Sequence, residues 1–127
     1  MSESGWTKPP TQFKVTVDKG LKETACSTML SIHRNLVMRT PVDTGRARAN
    51  WLPSAGSPDT GFKGEDYPPS LSLQDAERYF TAEQYKDKPL PVLYITNNLP
   101  YIQRLNEGWS DQAPLYYVEM AIMDVIK

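Results

Sequence analysis

Within its first forty residues the chain changes hydrophobic period, and that change restricts its fold more than any other feature. Residues 12 to 18 alternate, with Phe13, Val15 and Val17 set against Lys14, Thr16 and Asp18, as the two faces of a half-buried strand do. Leu21, Ala25, Met29, Ile32 and Leu36 then recur every three or four positions and draw one apolar stripe along a helix predicted over residues 19 to 38. At about 1.5 Å per residue this rod is roughly 30 Å long. Thr40-Pro41 ends it, because the residue before a proline is pushed out of helical backbone.

Further along, Ala47, Ala49 and Trp51 alternate with Arg46, Arg48 and Asn50, which predicts a second strand with a basic outer face. Residues 53 to 69 are rich in Pro, Gly, Ser and Asp without periodicity and predict a long loop, expected to reach a neighbour and to order on binding it. Ser72 and Asp75 have the spacing of a helix start, for a short helix running to Gln84. Val92 to Thr96 is a β-branched and aromatic run, expected as a central strand buried on both faces. Pro100 to Glu107 predicts a helical turn ended by Gly108. After Ala113-Pro114 comes a last helix carrying Val118, Ala121, Ile122, Val125 and Ile126, with a polar face of only Glu119, Asp124 and Lys127.

These periods describe an α+β chain, and 127 residues suit one domain spanning 1–127, with residues 1–11 as a flexible N-terminal segment and 53–69 as the loop. Fourteen basic and fifteen acidic residues leave a net charge of -1, so any polyanion site must be local. Cys26 is alone and has no internal disulfide partner; with a single histidine beside it, a structural His/Cys metal site is excluded. Met1 to Pro10 lack the order of a secretory signal and no apolar run approaches the ~20 residues of a membrane span, which predicts a soluble cytoplasmic product with no membrane partner. Nothing in the pattern implies a cofactor.

Asp43-Thr44-Gly45 is the tripeptide that carries the catalytic carboxylate of aspartic proteases, where two such groups share a proton across a dimer. Its setting argues against that chemistry: it follows a long helix, and Arg46 and Arg48 downstream would hold Asp43 ionised. As a structural turn, Pro41, Asp43, Thr44 and Gly45 would reverse the chain, with side-chain bonds to backbone amides and a positive φ at the glycine. Arg34, Arg39, Arg46 and Arg48, with His33 nearby, gather basic charge that would face DNA phosphates or pair with a neighbouring subunit. Tyr94, Tyr101, Trp109, Tyr116 and Tyr117 make the C-terminal third aromatic, as cores and protein interfaces are.

Two segments together resemble the tail-component family of long-tailed bacteriophages, neck and tail-completion proteins related to the minor tail protein Z. The first is Thr40 to Trp51, similar to the family's Pro-Val-Asp-Thr-Gly helix exit followed by an aromatic. The second is Asn98 to Gly108 with Ser110-Asp111-Gln112-Ala113-Pro114, similar to its Tyr-to-Leu-Glu-Gly-x-Ser-x-Gln-Ala-Pro block. Asn106 departs from that block, where the family has a shorter approach. The resemblance implies an α+β fold, a small mixed or antiparallel sheet packed against a long N-terminal helix and a C-terminal helix. It implies a virion protein, made in the host cytoplasm, that forms a homo-oligomeric, hexameric ring at the head-tail junction around the DNA path. Its expected partners are the tail terminator, the tail tube and the head-closure connector. Trp51, Tyr101, Glu107, Gly108, Trp109, Gln112 and Pro114 would form the assembly interface. The competing expectations are a small nucleic-acid-binding or interaction module and, further off, a dimeric protease-like enzyme.

Overall fold

The sheet is built from three short segments far apart in sequence, and its middle strand is the apolar run read as central. In the computed structural model, which describes residues 13–17, 22–40, 46–64, 66–100, 102, 106–107 and 116–126, β1 (Phe13–Val17) and β2 (Leu52–Ala55) both pair antiparallel with β3 (Leu93–Asn97), in the order β1-β3-β2. Register sets Val15 of β1 and Pro53 of β2 on either side of Ile95. Pro53 has no N–H to give a ladder and is tolerated because β2 lies at the edge. Leu93, Ile95 and Asn97 are buried on one face of β3 and Thr96 on the other, as the unbroken apolarity of this run requires.

Helix α1 (Lys22–Arg39) lies in the core along the predicted stripe, burying Ala25, Met29, Ile32 and Leu36 together with Cys26, His33 and Val37. Burial raises the Cys26 thiol above its ordinary pKa, with nearby Glu23 adding to the effect, so it stays an unreactive core residue. Lys22 ties the start of this helix to the carbonyls of Tyr85 and Lys88, at 2.5 and 2.8 Å.

The second alternation does not make a strand. Arg46–Ala49 is a single helical turn, α2, and β2 begins only after Trp51. Ala and Arg are strong helix formers, and the stretch has none of the β-branched residues that pleated backbone favours. Alternation fails as a guide because Asn50, expected on the outer face, is buried together with Ala47, Ala49 and Trp51.

The loop is correspondingly shorter, residues 56 to 68. It opens at Gly56, whose φ of +89° bends the chain while its N–H still bonds Val92 O at 2.8 Å. Asn50 holds Lys63 by both backbone groups, at 2.7 and 3.0 Å, and Asn98 donates to Asp59 O and Gly61 O. These bonds anchor the loop within its own chain. Helix α3 (Pro69–Tyr79) starts three residues before Ser72, with proline at its first position. Ser72 is buried inside it and Asp75 is turned to Tyr67 and Arg78, so the expected capping pair is not the start. It also stops short of Gln84, and a separate 3-10 turn occupies Ala82–Tyr85. Helix α4 (Tyr117–Ile126) is the predicted last helix. Both α3 and α4 pack on α1 and have little contact with each other. The architecture is α+β, an antiparallel sheet with N-terminal and C-terminal helices, and no described helix is long and apolar enough to cross a membrane.

Candidate functional site

Trp51 organises the corner where α1 gives way to α2. Its fully buried indole donates to Thr40 Oγ1 at 2.7 Å, and the Thr40 hydroxyl donates to Leu36 O, one turn back, at 2.5 Å. The Trp51 carbonyl meets His33 Nε2 at 2.9 Å. A carbonyl can only accept, so His33 carries a proton on Nε2. Burial lowers its pKa to about 4, although the Trp51 carbonyl and the charge of Asp75 pull the other way. His33 Nδ1 has no hydrogen-bond partner among the described residues. Tyr117 enters the same corner from α4, its hydroxyl pushed up to about 12 by burial while Thr40 pulls it down. Trp51 thus belongs to the core and offers no surface to another subunit.

Two of the arginines expected to form one basic patch have partners within the chain. Arg39 pairs with Asp124 on α4, and Arg48 donates through Nε to Val37 O at 3.0 Å, covering a carbonyl of the last turn of α1. Arg34 is exposed beside a cleft of about 310 Å³ between α1 and α3, whose walls include Leu30, His33, Leu73 and Glu77. Arg46 opens α2, and its side chain lies outside the described residues. So do the turn residues Pro41, Asp43, Thr44 and Gly45, and Tyr101, Gly108, Trp109, Gln112 and Pro114 of the expected interface. Glu107 is exposed, directly after Asn106.

Asn106 has a structural role that the sequence did not reveal. Its side-chain oxygen accepts the Val118 N–H at 2.8 Å, its amide donates to Glu119, and its carbonyl accepts the Tyr116 N–H at 2.6 Å. It caps α4 from eleven residues upstream of the helix, a distance at which no local capping pattern could reveal it. The only trace was its departure from the spacing of the resembling block.

The cap fixes the exposed side of α4. Tyr116 sits just before the helix with φ +59°, a conformation costly for a side chain of that size, and its ring is half exposed. Met120, Met123 and Ile126 continue from it, exposed by 46%, 56% and 53%, at spacings that keep all four on one face. Of the helix's described charges, Glu119 shares this side and is engaged by Asn106, and Asp124 at its margin is paired with Arg39. The outward side therefore carries four exposed large apolar side chains, a cluster that surfaces seldom leave unpartnered. The thin polar face noted in the sequence was its signal.

Among the described residues, no three His, Cys, Asp or Glu side chains stand close enough to hold a metal ion. Neutral His33 has its one proton committed to Trp51, so this corner builds structure. No known protein family, characterised protein or solved structure matches the chain significantly.

Proposed function

We propose that the chain is a structural virion component of a long-tailed bacteriophage, a neck or tail-completion subunit that assembles with copies of itself into a ring at the head-tail junction. The observation that carries this reading is the stripe of Tyr116, Met120, Met123 and Ile126, held outward on a helix whose acidic side chains are engaged within the subunit. Apolar surface of this kind is stabilised when a partner covers it. The resemblance of the Thr40 to Trp51 and Asn98 to Pro114 segments to neck and tail-completion proteins names the kind of assembly. The tail terminator, tail tube and head-closure connector are its further partners, and DNA passes through the lumen.

Engagement of Arg39 and Arg48 within the chain supports this reading over a free nucleic-acid binder built on these arginines, and the isolated chain should bind DNA weakly with a shallow salt dependence. Mass spectrometry of purified particles from the phage that encodes the chain tests the proposal. Peptides of this protein should appear at a low, fixed ratio to the tail-tube subunit. Their absence from intact particles would end the proposal.

A further inference from the structure

We infer that the cleft between α1 and α3 binds an aromatic group that carries a hydrogen-bond donor, a phenol or an indole. The inference goes beyond the ring reading and does not depend on it.

The cleft holds about 310 Å³, at the lower end of the range for sites that take small ligands. Leu30 of α1 with Leu73 and Ala76 of α3 gives it apolar walls, and His33 lines it as well. The His33 imidazole is fully buried, and its Nε2–H is given to the Trp51 carbonyl. At neutral pH this leaves Nδ1 as a bare acceptor, and it has no hydrogen-bond partner among the described residues. A buried acceptor without a donor costs free energy, which a donor entering the cleft would relieve. Nδ1 is closed to water in the free chain, so the donor must arrive on a group that parts the half-buried Leu30 and Leu73 side chains as it enters.

Charge and shape select the kind of donor. The charged side chains of the cleft are Arg34 on α1 and Glu77 on α3, exposed and opposite in sign, and neither has an ion-pair partner among the described residues. Their charges cancel, which favours a ligand without net charge. Asp75, bonded to Tyr67 and paired with Arg78, adds a negative potential at the imidazole that favours a donor there. A lysine or arginine head would lose its hydration against Leu30, Leu73 and Ala76. A small alcohol would leave most of the space unfilled. A phenol or indole covers the apolar walls with its ring and offers one donor at its edge. Such a ring has two sources, which Arg34 and Glu77 distinguish. A free amino acid would set its carboxylate against Arg34 and its ammonium against Glu77, whereas a side chain of another protein would use the ring alone.

Titration of the full chain, followed by NMR, with 4-methylphenol and with toluene, its counterpart lacking the donor, tests the inference. The phenol should bind about tenfold more tightly, the difference one hydrogen bond makes. It should shift the resonances of Leu30, Leu73 and Ala76 and move the His33 Nδ1 resonance upfield as that atom accepts a bond. His33→Phe should bind the two compounds equally. Should that variant fail to fold, Leu73→Trp leaves His33 in place and should abolish binding by filling the cleft. Equal affinity of the parent for both compounds would overturn the inference, as would saturation at another surface or no saturable binding. L-Tyrosine and N-acetyl-L-tyrosine amide separate the sources: tighter binding of L-tyrosine, lost in Arg34→Ala, assigns a free amino acid, and equal binding assigns a protein side chain. None of these results bears on whether the protein is present in particles, so the two proposals can fail separately.

Discussion

His33 shows most directly how one residue couples the fold to its surroundings. Its imidazole is fully buried with Nε2 bonded to Trp51 O, and desolvation holds its pKa at about 4, below the unfolded value of 6.5. A depressed histidine pKa means that the unfolded chain takes up the proton first as pH falls. Stability is therefore fully present above pH 6.5 and is lost progressively down to pH 4. The shift corresponds to roughly 3 kcal/mol over that window. Urea unfolding at pH 7.5 and pH 4.5 should show this loss, and His33→Gln, which keeps an amide donor for Trp51 but does not titrate, should flatten the dependence. An unchanged slope in the variant would mean that other groups govern acid unfolding. Tyr116 is the opposite case, a residue whose conformation works against stability. Tyr116→Gly should relieve a left-handed strain of about 1 kcal/mol, raise or preserve the melting temperature, and weaken self-association. Loss of stability in that variant would show that the ring contributes more to the folded subunit than to contacts outside it.

At the scale of elements, the long periodic segments were legible and the short buried ones were not. Helix α1 fell within three residues of its predicted start because a one-sided stripe repeated five times leaves little ambiguity. Strand β3 was legible for a related reason, since an unbroken apolar run only suits the middle of a sheet. Helix α2 was misread because buried residues on every side erase the periodicity that separates helix from strand. The loop's anchors were hidden because Asn50 and Asn98 act across thirteen and more positions, and asparagine in a Pro/Gly-rich setting reads as turn chemistry. Asn50→Ala should leave the core intact but release the loop near Lys63. Limited proteolysis should then cut the variant at Lys63 several times faster than the parent. Equal rates would mean that the Asn98 bonds alone hold it.

For the whole molecule, the described residues form one core in which α1 is covered by the sheet below and flanked by α3 and α4. The proposed function rests in the sequence on a resemblance alone, and the structure changes which residues could express it. Trp51 leaves the interface for the core, Arg39 and Arg48 leave the basic patch for intramolecular partners, and the face of α4 takes their place. The thin polar face hinted at that surface in the sequence, but apolar residues on all sides of a helix do not say which side the core takes. The account rests on the exposed apolar side of α4, and averaged images of the neck in intact particles test it most directly. They should resolve a closed ring of identical subunits around the DNA path, with the α4 methionines of each copy covered by a neighbour. A ring that leaves Met120 and Met123 facing solvent, or a neck without this subunit, would contradict the account.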